Sequence, residues 1–574
     1  MKIVFKYLRP FFGIMSVGLF IKIAGTLVEL ALPYILSHML KNVVALESVR
    51  LVVTWGLAMV TCAALACIFN IIANRMAAKV ARDFSRAVRH DLFASTLRLS
   101  AAQTDAFTIP SLESRITTDT YNVHHFVGMM QRLGVRAPIL LIGGIAITLI
   151  MDSYLALTMI AVLPFIFVTV YFISKKGVPL YTKVQKAVDR MIRVVREDTQ
   201  GIRVIKALSK SEYEHRRYDK VNRELVKEEK RAGVTMGLVN PIMTLLMNCG
   251  ITAVVALSAS RVAGHKSDPE TVIAFMQYFT LISMAMMSVT RMFVMFTKSA
   301  ASANRIAEVI NAPFDLTVKS EAEYPRVKTD AHIKFEKVSF SYKGGKNELE
   351  DISFELKRGG SLGIIGATGS GKSTLVKLLL RLYDVDSGKV LIDGRDVRTI
   401  DETELYKMFG NVMQQDFLYA DTIEENIRFG RELSRDDIVK AAKIAQADEF
   451  ITSFADGYEH MLSQKATNIS GGQKQRVLIA RAVASMPEIL ILDDSSSALD
   501  YKTDANLRVA LKNEMRGTTV ITVAQRVSSV KDCDLILVLD AGRIIGAGTH
   551  DELMKTCTEY KEISDSQLGG AFVE

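Results

Sequence analysis

Nine consecutive residues, Gly366-Ala367-Thr368-Gly369-Ser370-Gly371-Lys372-Ser373-Thr374, have the types and spacing of a phosphate cradle. Glycines let successive backbone N–H groups turn inward around a phosphate chain, and a helix starting just beyond adds partial positive charge at the same spot. Lys372 is long enough to reach β- and γ-phosphates, and the Ser373 hydroxyl is placed to hold Mg²⁺. This chemistry requires a strand before the loop and a helix after it. The apolar run Ser361 to Ile365 reads as that strand, and Leu375 to Leu380 as the start of the helix. The spacing alone occurs by chance in unrelated chains, so the surroundings carry the reading.

Other residues point the same way. Ile489 to Leu492 reads as a buried strand ending in Asp493 and Asp494. An acidic residue at such a strand end can hold Mg²⁺ through water. Between loop and strand lies Ile469-Ser470-Gly471-Gly472-Gln473, followed by Lys474-Gln475-Arg476. Upstream, Tyr342 offers an aromatic face that could stack on an adenine ring, although alone it reads as an ordinary exposed tyrosine.

These groups need elements to position them. The 574 residues allow two to four domains. Hydrophobic residues make up 49% and mean hydropathy is +0.20, concentrated in the first 310 residues. A hydrocarbon core of about 30 Å needs roughly 20 apolar residues per helix. Six segments meet that need, near Phe12–Leu40, Leu51–Ala73, Val135–Met151, Tyr154–Ser174, Thr235–Ser260 and Thr271–Thr297. Asn74–Gly134 and Lys175–Gly233 are long, basic and helix-periodic, so they read as extensions of the spans on the cytoplasmic side. The net charge of +9 resides beside apolar segments, which argues against a nucleic-acid partner. The five cysteines show no metal-ligand spacing and imply no disulfide framework. The first apolar run is too long for a cleavable signal and lacks its small-residue site.

Within the spans, Lys22 and Glu29 share one helix face, and Asn248 and Arg291 are also polar. Residues of this kind face a partner helix or a water-filled cavity. The sixth segment is rich in Met and Phe (Met276, Phe279, Met284, Met286, Met287, Met292, Phe293, Met295). Methionine adapts to varied apolar ligands and equally fills gaps between helices. Residues 311–330 lack periodicity and read as a linker, and short strands begin at His332.

With the loop, the Ser-Gly-Gly-Gln stretch and the Asp-terminated strand in this order, the chain resembles the ATP-binding cassette exporters in which six spans are fused to one cassette. The resemblance covers nearly the whole chain. It implies a helical membrane domain over 1–310, a linker over 311–330 and an α/β P-loop nucleotide-binding domain with antiparallel β and helical subdomains over 331–574. It also implies ATP and Mg²⁺ as cofactors. Tyr342 becomes the adenine-stacking aromatic, and Gly366–Thr374 the Walker A loop. Gln414 becomes the Q-loop glutamine, with Gln415 a near alternative, and joins Ser373 and Asp493 around the metal. Ser470, Gly471, Gly472 and Gln473 form the signature that meets ATP held by an opposite cassette. Ser497–Asp500 becomes the D-loop, and Thr108–Thr118 and Lys210–Asp219 lie where the family has coupling helices.

Three positions depart from the pattern. Asp494 stands where a catalytic glutamate is expected, Gln525 where the switch histidine is expected, and Gln464 where exporters often have glutamate. A shorter carboxylate retreats from the attacking water, and an amide cannot carry the positive charge of an imidazolium. The signature is intact apart from Ile469 in place of leucine. The pattern therefore implies one half of a heterodimeric bacterial exporter in the plasma membrane, with its cassette in the cytoplasm. Its own site would bind ATP and hydrolyse it weakly, its signature would serve the partner, and hydrophobic or amphipathic compounds would be its cargo among membrane lipid. A homodimeric lipid or peptide exporter and an ATP-gated channel-like regulator are the alternatives.

Overall fold

A computed structural model describes residues 1–574 apart from 264–268, 343, 344, 346, 415, 416, 496 and 570–574. It divides into two compact units, one of residues 1–98 and 108–312, the other of residues 99–107 and 313–574.

The first unit contains six helices long and apolar enough to cross a membrane: α1 (Lys2–Val43), α2 (Val49–Leu97), α3 (Ile109–Met151), α4 (Ser153–Gln200), α5 (Ser211–Arg261) and α6 (Pro269–Ile310). Each has 42 to 51 residues, so at 1.5 Å per residue they run about 60 to 75 Å, twice the hydrocarbon thickness. The basic, periodic inserts are thus continuations of the spans. The turn from α3 to α4 is fixed by Asp152, whose carboxylate accepts from the N–H groups of Tyr154 (3.0 Å) and Leu155 (3.2 Å). That N-cap satisfies two orphan donors in a turn with no room for a loop. Farther along α3, the buried Asp119 accepts from Ser302 Oγ and Arg305 Nε on α6, both at 2.8 Å. The apolar core of the unit gathers Leu30, Leu140, Met159, Ile166, Tyr278, Phe279 and Ile282, and the Tyr278 hydroxyl donates to the Leu30 carbonyl at 2.7 Å.

The second unit has two sheets. The antiparallel one has the order β2-β1-β4-β5, from β1 (Ala331–Phe340), β2 (Leu349–Lys357), β4 (Ser387–Ile392) and β5 (Arg395–Asp396). The other has the order β10-β9-β3-β8-β7-β6, from β3 (Ser361–Gly366), β6 (Phe409–Val412), β7 (Ile489–Asp493), β8 (Thr519–Val523), β9 (Leu535–Asp540) and β10 (Arg543–Gly548). All its neighbours are parallel except β9 and β10. Its strands are near-continuous apolar runs because parallel sheets are covered on both faces: every residue of β7 is buried. Residues 311–330 contain no helix or strand and are tied along this unit, with Lys319 N–H on the Arg398 carbonyl and Val327 N–H on the Gly394 carbonyl, both at 2.8 Å.

The short helix Ala101–Phe107 belongs to the second unit, although it follows α2 in the chain. The Asp105 carboxylate accepts from the Tyr383 hydroxyl (2.6 Å), Gln103 Nε2 donates to the Pro313 carbonyl (2.6 Å), and Ser100 Oγ to Asp315 (2.9 Å). The segment joining this unit therefore precedes the expected Thr108–Thr118, which begins the helical run into α3 within the first unit. Lys210–Asp219 also lies in the first unit, at the start of α5.

Candidate functional site

In a parallel sheet, ligands settle outside the carboxyl ends of the strands. Four neighbouring strands here end at the same edge of the sheet and each delivers one predicted group. Strand β3 runs into Gly366 and the loop, β8 is followed by Ala524 and Gln525, β7 ends in Asp493, and β6 is followed by Met413 and Gln414. Register sets their depth: Ile364 pairs with Val523, and Val523 with Asp493.

The loop closes as its composition requires. A Cβ on Gly366 would sit 2.1 Å from the Leu539 carbonyl oxygen, so no side chain fits there. Gly371 has φ +99°, and a Cβ on it would meet Leu349 Cδ2 at 2.6 Å. The helix Lys372–Leu379 starts at once, its N-terminal N–H groups facing the loop. Lys372 Nζ donates to the carbonyls of Gly366 and Ala367, both at 2.8 Å.

A cavity of about 160 Å³ opens here, walled by Thr368, Gly369, Gly371, Lys372, Ser373, Thr374, Gln414, Asp493, Asp494 and Gln525, together with Glu348, Val523 and Ala524. Asp493 is buried and accepts a hydrogen bond from Ser373. Burial pushes its carboxyl above the ordinary aspartate range, helped by the neighbouring Asp494; the Ser373 bond, Lys372 and Lys377 pull the other way. Burial also raises Asp494, against hydrogen bonds from Gln414 and Gln525 and the charges of Lys372 and Arg526. Burial lowers Lys372, and the two aspartates oppose that shift. Gln525 Nε2 donates to Asp494 Oδ2 at 3.1 Å, so two of the three residues that depart from the family pattern touch each other. Asp494 itself has φ +53°, a left-handed conformation that aspartate tolerates better than most residues.

Gly366 and Ser370 shape the loop without walling the cavity; Ser370 Oγ is buried and has no partner among the described residues. Tyr342 lies in an adjoining groove with Tyr383, Asp105 and Asp315. Its hydroxyl is 3.3 Å from Thr374 Oγ1, and its ring meets those of Phe340 and Tyr383 edge to face. Gln415, the alternative to Gln414, lies outside the described residues. Ser470, Gly471, Gly472 and Gln473 wall no part of this cavity. They open the helix Gly471–Val483, where Ser470 and Gln473 form a reciprocal capping box. A Cβ on Gly472 would stand 3.0 Å from the Ala498 carbonyl of the predicted D-loop. Exposed Gln464 lies in the turn before that helix.

Two participants have no sequence signal. Glu348, just before β2, closes one wall of the cavity. Gln567, on the helix Thr558–Gly569, clasps the switch segment: its Nε2 donates to the Gln525 carbonyl (2.9 Å) and its Oε1 accepts from Val527 N–H (2.8 Å).

Comparison with known proteins agrees with this architecture. Residues 15–286 match the family described as ABC transporter transmembrane region, and residues 349–497 that described as ABC transporter. An uncharacterized ABC transporter ATP-binding protein of Mycobacterium tuberculosis is 31% identical over 573 residues, 99% of this chain and 98% of that protein. The uncharacterized ABC transporter ATP-binding protein YfiB of Bacillus subtilis is 33% identical over 566 residues, 98% of each. The solved structure of a bacterial Atm1-family ABC exporter with ATP bound has the same fold, with a TM-score of 0.81 at 24% identity and 99% of each chain covered.

Proposed function

The chain belongs to the ABC transporter family, as a multi-pass half-transporter with one ATP-binding domain, and from that premise we propose that it is the weakly hydrolysing subunit of a heterodimeric exporter. The observation that carries the proposal is the Asp494–Gln525 contact. The position that should hold and activate the attacking water is occupied by a carboxylate one methylene short, held by a neutral amide. A general base must stand within hydrogen-bond reach of the proton it takes. The signature, by contrast, exposes Ser470 and Gly471, with Gly472 and Gln473 half-buried, and none of the four walls the chain's own cavity. It is therefore free to complete a site on another cassette.

The fit to nucleotide rests on the narrow loop and on the Lys372 ammonium that walls the cavity. Lys372 and the loop N–H groups hold the β- and γ-phosphates. The oxygen donors Ser373, Gln414 and Asp493 suit a hard divalent cation, and Mg²⁺ bound by them would neutralise phosphate charge. Tyr342 holds the adenine. Asp494 orients water weakly, and Gln525 donates a neutral hydrogen bond to the γ-phosphate. ATP clamps two cassettes together because it binds the closed pair more tightly than the open one, and that difference drives the spans outward. Hydrolysis at the partner's site resets them. The cassette then lies in the cytoplasm of a bacterial cell, and the cargo is hydrophobic or amphipathic.

Co-assembled with its partner, this chain should tolerate Asp494→Ala with modest loss of transport, while removal of the partner's catalytic glutamate abolishes transport. Equal losses would overturn the assignment and favour a homodimer-like exporter with two slow sites.

A further inference from the structure

We infer that the membrane unit holds an anion site built from Lys22, Arg132 and Arg136, and that the exported compound is an amphipathic anion: an apolar body with a carboxylate, phosphate or sulfate head. The inference deepens the exporter reading and rests on it.

Charge balance is the first observation. Across the six apolar segments the only acidic residue is Glu29, against Lys22, Arg136 and Arg291. Glu29 is already taken, gripped by both Nε and Nη2 of Arg136, the former at 3.1 Å. Lys22 is only 4% exposed, and its ammonium meets two neutral acceptors, Asn70 Oδ1 at 2.6 Å and Asn74 Oδ1 at 3.2 Å. Arg132 spends its Nε on the Gly128 carbonyl of its own helix, at 3.0 Å. Among the described residues no carboxylate pairs with Lys22 or Arg132.

Depth is the second. Lys22 stands roughly twenty residues before the outer end of α1, Asn70 as far from the start of α2, and Arg132 about as far from the end of α3. At 1.5 Å per residue each lies about 30 Å from the far end, which is one hydrocarbon thickness. Three helices thus bring the cluster to one level at the inner face, with the Arg136–Glu29 pair about one to two turns deeper. Amide oxygens can solvate an ammonium but cannot neutralise it, and beside hydrocarbon the unbalanced positive charge is costly. A bound anion relieves it. Guanidinium forks match carboxylate and phosphate oxygens. Gly134, between the two arginines, is flanked by Met130 and Met292, adaptable apolar surface for the tail.

The test titrates the purified chain, in nanodiscs of zwitterionic lipid, with dansyl-undecanoate and with a quaternary-ammonium analogue of equal length. The anion should bind saturably and the cation should not. Lys22→Gln and Arg132→Gln should each weaken the anion about tenfold, the scale of one lost charge-assisted hydrogen bond. Glu29→Gln, which releases Arg136, should tighten it. Equal binding of anion and cation, or anion binding indifferent to all three substitutions, would overturn the inference. Competition by an anionic phospholipid added to the disc would assign the head to a lipid, and competition by inorganic phosphate alone to a soluble ion; either supports an anion site. Binding of a fluorescent ATP analogue in the same discs reports on the exporter reading separately, and its loss leaves the anion result standing.

Discussion

Lengthening the Asp494 side chain tests the catalytic argument directly. Asp494→Glu adds one carbon–carbon bond, about 1.5 Å of reach, at the position where Gln525 and Gln414 now engage the carboxylate. A misplacement of about 1 Å in a reacting group changes rates on the order of a hundredfold, which is about 2.7 kcal/mol of barrier. The substituted chain should therefore gain ATPase activity on the order of a hundredfold. Adding Gln525→His should raise it further, because a charged donor to the γ-phosphate is roughly twice as strong as a neutral one. Residue 494 is left-handed, with φ +53°, so glutamate there will lose some stability, about 1 kcal/mol. The assay is steady-state phosphate release by the purified chain in nanodiscs, with ATP affinity measured separately and Lys372→Ala as the inactive control. A parent chain that already turns over briskly, with Asp494→Glu within about threefold of it, less than 1 kcal/mol, would refute the reasoning.

Burial holds Asp493 above the ordinary aspartate range, so it loses its proton at a higher pH in the folded cassette than in the unfolded chain. Stability is then lost as pH rises through that interval and stays lost above it. Without nucleotide, Asp493→Asn should melt at a higher temperature than the parent at pH 7 and match it near pH 4, about the unfolded value; a constant gap contradicts this. Gln567→Ala should speed amide exchange at Val527 about fivefold, the equivalent of roughly 1 kcal/mol, and unchanged exchange would show the clasp to be idle. Tyr383→Phe removes the bond to Asp105 and should raise amide exchange across Leu99–Phe107 by a similar factor; full protection would mean that the segment is held otherwise. Ser470→Arg in the co-assembled pair should abolish the partner-site ATPase while this chain still binds ATP, and undiminished turnover would remove the signature from that site.

Much of the site was legible because its chemistry is contiguous. The loop, the Asp-ended strand and the signature each lie within a short run, and backbone constraints there admit few residue types. Gly366, crowded by the Leu539 carbonyl, is such a case. The six spans were equally plain, since hydrocarbon thickness imposes a length. What escaped were meetings between distant residues. Gln567 touches a segment some forty residues away through one amide, with no pattern around it. The docking of Ala101–Phe107 depends on Asp105 finding Tyr383, and exposed polar residues on a short helix give no sign of their partners. The spans continue into their basic extensions, in α5 with one turn residue at Leu238 between them, so the apolar pattern marked where each helix enters hydrocarbon and left its full length open.

On the proposed reading, this polypeptide works beside a different one. Native mass spectrometry of the tagged chain, extracted with lipid from the membranes that naturally contain it, tests this most directly. The expected result is a complex with a second half-transporter whose sequence carries glutamate and histidine at the positions of Asp494 and Gln525. A complex of two identical copies, hydrolysing ATP at a full exporter rate, would contradict it.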